Sequence, residues 1–575
     1  MSDPEVLKAF RQRKDLKKYA HNALLLYALQ LRYPIEDIDT VATEYLTDGS
    51  NDKKADLVYV DPESGDAVIA QGYMSQSRRE GDTAPASKAS DLNTAAIWLL
   101  SRDIEDIPKR IRSATEELRE EIKEGNIGCV EFWYVHNLEE SENVKGELVS
   151  VKEGAVYNLE ERFQGQISVQ AREIGTNKLQ EWYEGARNNI LVSDKISFDA
   201  PGGYELESEN WDSYDTSIKL KDLKRIFDKY ESDLFSANIR EYLGSRKSDD
   251  NINEGIKRTI SEEQENFWIY NNGITALVHD FEDKEGKVEV EGMSIVNGAQ
   301  TTGAISSADT ELGENARVPI RLVKCNDESI VSKLVKYNNT QNDIKSSDFR
   351  STDYVQNKLR SEFEKIPKAE YTGGRRGDHR DRIRQIPNRL PSNAVAQSLA
   401  IMHGEPVKAY NRVSDIWEKD DLYQKIFNQR TTAKHIVFAY SLFRKVQDRK
   451  DALKALDEDE ATPAQLDEKD FLRERGSVFA ICYAISESLD SIVGRKIPDR
   501  FDLRFKDNPS PEEAKIYWEE VVKYACAFYE FYKNHFSGQL NSRSQADDIA
   551  SELRPRIRMA DEDQFSKFSE KLLTH

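Results

Sequence analysis

Residues 292–305 hold the residue types best suited to gripping an anion. Gly292-Met293-Ser294-Ile295-Val296 reads as a short apolar strand, Asn297-Gly298-Ala299-Gln300 as a loop of small and amide residues, and Thr301-Thr302-Gly303-Ala304-Ile305 as a helix start. The first N–H groups of a helix lack intrahelical acceptors and carry partial positive charge, so phosphate fits there when small residues let it approach. Asn271 and Asn272, in a polar break before Gly273, add amides that suit a base or sugar, as do Asn339 and Gln341 further on. Positive charge must come from Arg240 or from the basic stretch 371–389. That stretch holds Arg375, Arg376, Arg380, Arg382, Arg384 and Arg389 against Asp378 and Asp381. Arginine forks bind phosphate through paired bonds. The same residues also make a tight strand-to-helix turn with a threonine cap, since amide-rich loops readily satisfy their own backbone. The arginines equally suit salt bridges to an acidic surface.

The wording of these segments is specific. Asn271-Asn272-Gly273-Ile274-Thr275 followed by Ile295-Val296-Asn297-Gly298-Ala299-Gln300-Thr301-Thr302 resembles the AIPR family, the abortive-infection phage-resistance proteins. Leu234-Phe235 with Asn238-Ile239-Arg240-Glu241-Tyr242-Leu243-Gly244 upstream extends the resemblance. So does Asn338-Asn339-Thr340-Gln341-Asn342, running to Ser347-Asp348-Phe349, downstream. The resemblance is strong over 219–406, moderate before it and weak after it. The strand–loop–helix unit is similar, more distantly, to ParB-like and DGQHR nucleotide-handling domains. Those carry an Asp and basic residues where this loop has Asn297, Thr301 and Thr302. The resemblance implies an anti-phage, abortive-infection defence protein with a nuclease-like N-terminal half.

In that half, Asp56-Leu57-Val58-Tyr59-Val60-Asp61 and Ala67-Val68-Ile69-Ala70-Gln71-Gly72-Tyr73 flank Pro62-Glu63-Ser64-Gly65-Asp66 and predict a hairpin. Helices follow over 90–100 and 107–123, then a strand over 128–135. This α/β layout is similar to the restriction-endonuclease-like fold. Such a PD-(D/E)xK site has one acid on the first strand, and an acid or Gln with a Lys two residues on along the next. Residues i and i+2 of a strand share a face, so the acid and amide oxygens can hold Mg²⁺ or Mn²⁺ while the lysine steadies water or phosphate. Asp56 matches the first acid and Gln71 the second position. Tyr73 stands where the lysine belongs and supplies no cation at neutral pH, so Lys88 must reach back instead. Asp52 and Asp48 are further carboxylates nearby. A surface hairpin with polar residues facing water reads from the same sequence.

The elements that position these residues divide into three predicted units. These are an α/β restriction-endonuclease-like domain over 1–200, an α+β central domain over 201–390 and a mostly α domain over 391–575. Ala200-Pro201-Gly202-Gly203 suits a hinge. Phe267-Trp268-Ile269-Tyr270 reads as a strand by its aromatic and β-branched content. Ser510-Pro511-Glu512-Glu513 has the capping-box pattern of a helix start. The acidic stretch 457–470 reads as an exposed loop.

With 575 residues, 32% charged and 38% hydrophobic, the chain has the composition of a soluble globular protein. Its net charge of −22 repels nucleic acid on average, so any such site must be a local basic cleft. The cysteines Cys129, Cys325, Cys482 and Cys526 form no CxxC pair, and no histidine pair has HExxH spacing. No apolar run has the ~18 residues of a membrane span. No signal peptide opens the sequence, so a cytoplasmic location is expected. The reading that follows is a Mg²⁺-dependent nuclease coupled to a central nucleotide- or nucleic-acid-sensing domain. Its expected partners are DNA or RNA, a nucleotide, a second copy or other defence proteins. The alternatives are an inactive nucleic-acid or nucleotide-binding protein and a scaffold subunit of a defence complex.

Overall fold

The computed structural model describes residues 3–238 and 250–573, except 34, 48, 50, 80, 164–166, 189, 285, 307–309, 328–329, 332, 336–349, 351–352, 374–385, 457–460, 537 and 562. The expected hairpin forms: β1 (Leu57–Asp61) and β2 (Asp66–Tyr73) pair antiparallel, Leu57 opposite Ala70. Asp61 closes the turn, its Oδ1 accepting from the N–H groups of Glu63 and Ser64. β3 (Cys129–His136) runs parallel to β2, and β4 (Ser168–Ile174) parallel to β3, giving the order β1-β2-β3-β4.

Strand alternation feeds two cores. Val58, Val60, Ala67, Ile69, Val130 and Phe132 face one layer, with helices Ala86–Ala96, Lys109–Glu124 and Glu142–Arg162. Leu57, Tyr59, Val68, Ala70, Trp133 and Val135 face the other, with helix Ala23–Arg32. That helix is buried on every side, as the apolar run 23–29 requires, and buries Gln30 and Arg32 as well.

A second sheet follows: β5 (Val192–Asp199), β6 (Tyr204–Glu207), β7 (Trp211–Lys219), β8 (Ile274–Val278), β9 (Asp280–Asp283), β10 (Lys287–Asn297) and β11 (Arg317–Cys325). Its order is β5-β10-β8-β11-β7-β6, with β9 beside β10. β8 and β11 are parallel and the remaining pairs antiparallel. Beyond residue 391 the described chain is largely helical around one apolar core. No described helix is long and apolar enough to cross a membrane, and all four cysteines are free.

Two segments differ from the sequence expectation. Phe267–Tyr270 is a helical turn, not a strand. Only Phe267 enters the core; Trp268, Ile269 and Tyr270 are exposed, so β propensity had no pleated surface to act on. The acidic stretch forms helix Pro463–Leu472 from Thr462, whose side chain and Gln465 make a capping box. This is the same start pattern that Ser510 and Glu513 make for helix Pro511–Tyr517. Proline there opens a helix rather than a loop.

The helical region grips the first sheet through buried ion pairs. Helix Ile38–Tyr45 lies against helix Ala433–Lys454: Arg444 pairs with Asp37 at 2.9 Å and Lys450 with Glu44 at 2.8 Å. Arg475 pairs with Glu117 at 2.5 Å and donates to the Val58 carbonyl on β1 at 2.7 Å. Glu44 and Lys450 side chains are no more than 2% exposed.

Candidate active site

Asp56 immediately precedes β1, and its N–H donates to the Ala70 carbonyl at 2.9 Å. Continuing the β1–β2 register by one place sets Asp56 opposite Gln71. Directly opposed residues of an antiparallel pair project on the same face, here the face carrying Val58, Ile69 and the 86–96 helix. Asp56 and Gln71 both line a cleft of about 600 Å³, with Lys88 and Asp52 on its walls. The four residues assigned to catalysis or metal in this half therefore meet at one place. Asp48 lies outside the described residues.

The polar atoms of the floor are unevenly satisfied. Asp56 Oδ2 accepts from the Gly72 N–H at 2.7 Å. Gln71 is 4% exposed, and its Oε1 is buried without a hydrogen-bond partner among the described residues. A buried acceptor left unpaired costs about 1–3 kcal/mol, so it calls for a reason. Asp52 is engaged in shaping its own turn, accepting from the N–H groups of Gly49 at 3.1 Å and Lys54 at 2.9 Å. In that turn Asn51, Lys53 and Lys54 have φ of 65°, 56° and 72°, a conformation side chains seldom adopt. Thr47 ties the ends of the turn together, its N–H donating to the Asp56 carbonyl at 2.9 Å and its hydroxyl to the Ala55 carbonyl at 2.6 Å.

The turn also brings cations that the motif reading missed. Lys53 and Lys54 line the cleft together with Lys88, Asp52 and Asp56. Asp91 holds Lys54 at 3.3 Å and lies 4.0 Å from Lys88. In a chain of net charge −22, three lysines here offset the carboxylates of Asp52, Asp56 and Asp91. The adjacent Lys53-Lys54 pair was visible in sequence, but nothing in its spacing linked it to Gln71. Tyr73 packs against the core beneath the helices and lies off the cleft wall.

The oxygen set suits a hard divalent cation: one carboxylate, one unpaired amide oxygen and a second carboxylate on the wall. No cluster of three or more His, Cys, Asp or Glu with metal-binding geometry occurs among the described residues. Asp56 and Gln71 would hold such an ion, with Asp52 lining the same cleft.

The central turn has the expected path. β10 ends at Asn297, Gly298 turns with φ 99°, and helix Ala299–Ser306 begins. A Cβ on Gly298 would lie 2.9 Å from Ile274 Cγ1 and 3.2 Å from the Gly273 carbonyl, so only glycine fits. Thr302 donates to the Gly298 carbonyl from both its N–H and its hydroxyl, each at 2.9 Å. Asn271 donates from Nδ2 to Thr301 Oγ1 at 3.2 Å and accepts the Gly273 N–H at 3.0 Å. Thr301 and Thr302 are buried, Asn272 is exposed, and Asn297 and Gln300 are half-buried with partners of their own. Asn271, Gly298, Thr301 and Thr302 thus meet in one place. Asn339, Gln341, Arg240, Arg375, Arg376 and Arg380 lie outside the described residues.

Together these features define a mixed α/β protein with a carboxylate-and-amide cleft in its first sheet, a strand–glycine–helix turn in its second and a helical C-terminal region. A family model described as AIPR protein matches residues 235–493. That stretch belongs to the AIPR family, in agreement with the resemblance read from its NNGIT and IVNGAQTT segments. The match covers the second sheet from β8 onward and continues into the helical region as far as helix Leu489–Val493; the N-terminal cleft lies outside it. No curated protein and no solved structure matches the chain.

Proposed function

We propose that the protein is an anti-phage, abortive-infection defence protein whose N-terminal cleft hydrolyses phosphodiester bonds of nucleic acid with Mg²⁺ or Mn²⁺. Its AIPR stretch supports the defence role. One observation carries the chemistry: Asp56 and Gln71 face each other across a strand pair, the Gln71 oxygen is buried without a partner among the described residues, and Lys88 stands on the same cleft. A divalent ion bound there would polarise the phosphoryl oxygen and lower the pKa of a bound water. Asp56 and Gln71 position that ion. Lys88, with Lys53 and Lys54, supplies the positive charge that Tyr73 does not, and neutralises the phosphate as negative charge builds on it. The central AIPR stretch is the coupled sensing unit, and its turn, with Thr302 and Asn271 paired internally, holds that unit's fold.

The test is incubation of the purified protein with plasmid, linear DNA and RNA, with Mg²⁺ or Mn²⁺ and with EDTA. Cleavage that needs metal and disappears in Asp56→Ala supports the reading; cleavage that survives in Asp56→Ala moves the chemistry elsewhere. A second reading, recognition without turnover, draws on the place of Tyr73, packed into the core where a lysine is expected. Tight binding of nucleic acid or nucleotide with no cleavage under any metal selects it.

A further inference from the structure

Trp98 stands at the mouth of the same cleft. Helix Ala86–Ala96 passes into a π-helical turn at Ile97–Ser101. Such turns are rare, and recur where a side chain must be re-aimed at a functional site. This one is braced from behind. Buried Arg119 donates to the Leu99 carbonyl at 2.7 Å and to the Trp98 carbonyl at 3.1 Å. The backbone of Trp98 is therefore fixed, yet its side chain is only half-buried. Lys53 Nζ lies 4.3 Å from the ring centroid and Arg102 Cζ 5.5 Å. Lys88 and Thr94 of that helix line the cleft with Trp98.

Resting on the reading of this cleft as a nucleic-acid site, we infer that Trp98, flanked by Lys53 and Arg102, is a stacking platform for an unpaired base. The inferred substrate is thus single-stranded nucleic acid or a frayed strand end. An aromatic ring and flanking cations are what a single strand requires: every base has a π face, and its neighbouring phosphates need charge. A base paired inside a duplex presents only its edges and cannot lie on Trp98 without leaving the stack. The cations now over the ring move to the phosphates on either side of the stacked base. The cleft volume of about 600 Å³ is in the range of small-ligand sites, enough for a short piece of one strand and too little for a double helix.

The experiment measures binding by fluorescence polarisation in EDTA, where nothing is cleaved. The probes are short labelled single-stranded DNA, single-stranded RNA and a blunt duplex of the same sequence. Wild-type protein should favour a single strand over the duplex, with the two single-strand arms showing whether DNA or RNA is preferred. Trp98→Ala should weaken single-strand binding on the order of ten-fold or more and leave duplex binding unchanged. Trp98→Phe, which keeps a ring and the fold, should retain most of the affinity, and Lys53→Met should lose part of it. Equal affinity for single strand and duplex, or single-strand affinity unaltered in Trp98→Ala, overturns the inference. Failure of the nuclease reading is separately visible. Trp98-dependent binding without metal-dependent cleavage leaves the platform standing, whereas cleavage of single strands unaffected by Trp98→Ala removes the platform and keeps the nuclease.

Discussion

The N-terminal cleft and the central turn are built from similar parts: a strand end, a glycine, an amide and a nearby helix. They differ in where their hydrogen bonds go. In the central turn Thr302 returns both its donors to the Gly298 carbonyl, and Asn271 ties Thr301 to Gly273. In the cleft the Gln71 oxygen has no partner among the described residues, and Lys53, Lys54 and Lys88 line the same walls. A turn that closes on itself holds a chain in place, while an acceptor left open in a buried wall invites a ligand. The glycines show the same contrast. A Cβ on Gly298 collides with its neighbours, whereas one on Gly72 would meet Asp56, Leu25 and the His21 carbonyl only at 3.7–3.8 Å.

The largest expected effect tests what supports the cleft from outside its own sheet. Helix 38–45, which leads into the strained turn, is held by the C-terminal region through Glu44 and Lys450. Lys450→Met leaves the Glu44 carboxylate buried, with the Gly476 N–H its one remaining hydrogen-bond donor among the described residues. Loss of one partner of a buried pair costs about 3–5 kcal/mol, to be read by denaturant unfolding. Adding Glu44→Met should restore most of the loss. The same pair of changes should leave the central turn intact, because its support lies within the second sheet. If Lys450→Met unfolds at the wild-type midpoint, the clamp is not what holds the turn.

Next in size is the contrast between the glycines. Gly298→Ala meets both a positive φ and a contact under 3.0 Å with Ile274, and should destabilise by about 1–3 kcal/mol. Gly72→Ala has ordinary contacts and should shift unfolding by less than about 1 kcal/mol. Comparable losses at the two positions would dissolve the distinction between a closed turn and an open wall.

The part of this contrast that was legible in sequence is local. The 56–73 hairpin, with Asp56 and Gln71 on one face, followed from alternation and from the Pro-Glu-Ser-Gly-Asp turn. The strand–Gly298–helix path followed from its small residues, and the Ser510 capping box from its spacing. What stayed hidden depends on long-range contact. Glu44 and Lys450 are separated by 406 residues, and no spacing rule links them. Lys53 and Lys54 reach the cleft only because their turn adopts positive φ, which neither residue type favours. Trp98 is re-aimed by a π-helical turn that the apolar run 97–100 does not announce. The Thr462-Pro463 helix was legible and misread, since a proline within an acidic stretch suggests a loop until its capping partner Gln465 is noticed.

The smallest expected change in stability is the sharpest test of the open wall. Gln71→Met keeps the length of the side chain and removes an acceptor that is buried and unpaired. If the oxygen exists for the fold, its removal should destabilise, as loss of an ordinary internal hydrogen bond would by about 1 kcal/mol. If it exists for a ligand, the ligand-free protein should be unchanged or gain up to about 1 kcal/mol, because an unmet desolvation cost disappears. Divalent metal separates the two further. A ligand that binds only the folded state raises the unfolding midpoint, so Mg²⁺ or Mn²⁺ should stabilise the wild type and have a smaller effect on Gln71→Met or Asp56→Ala. Unfolding in EDTA and in excess metal, measured on all three proteins, reads both effects. A Gln71→Met protein that is less stable in EDTA and responds to metal like the wild type would place Gln71 with the self-closing residues of the central turn, and leave the cleft without its oxygen ligand.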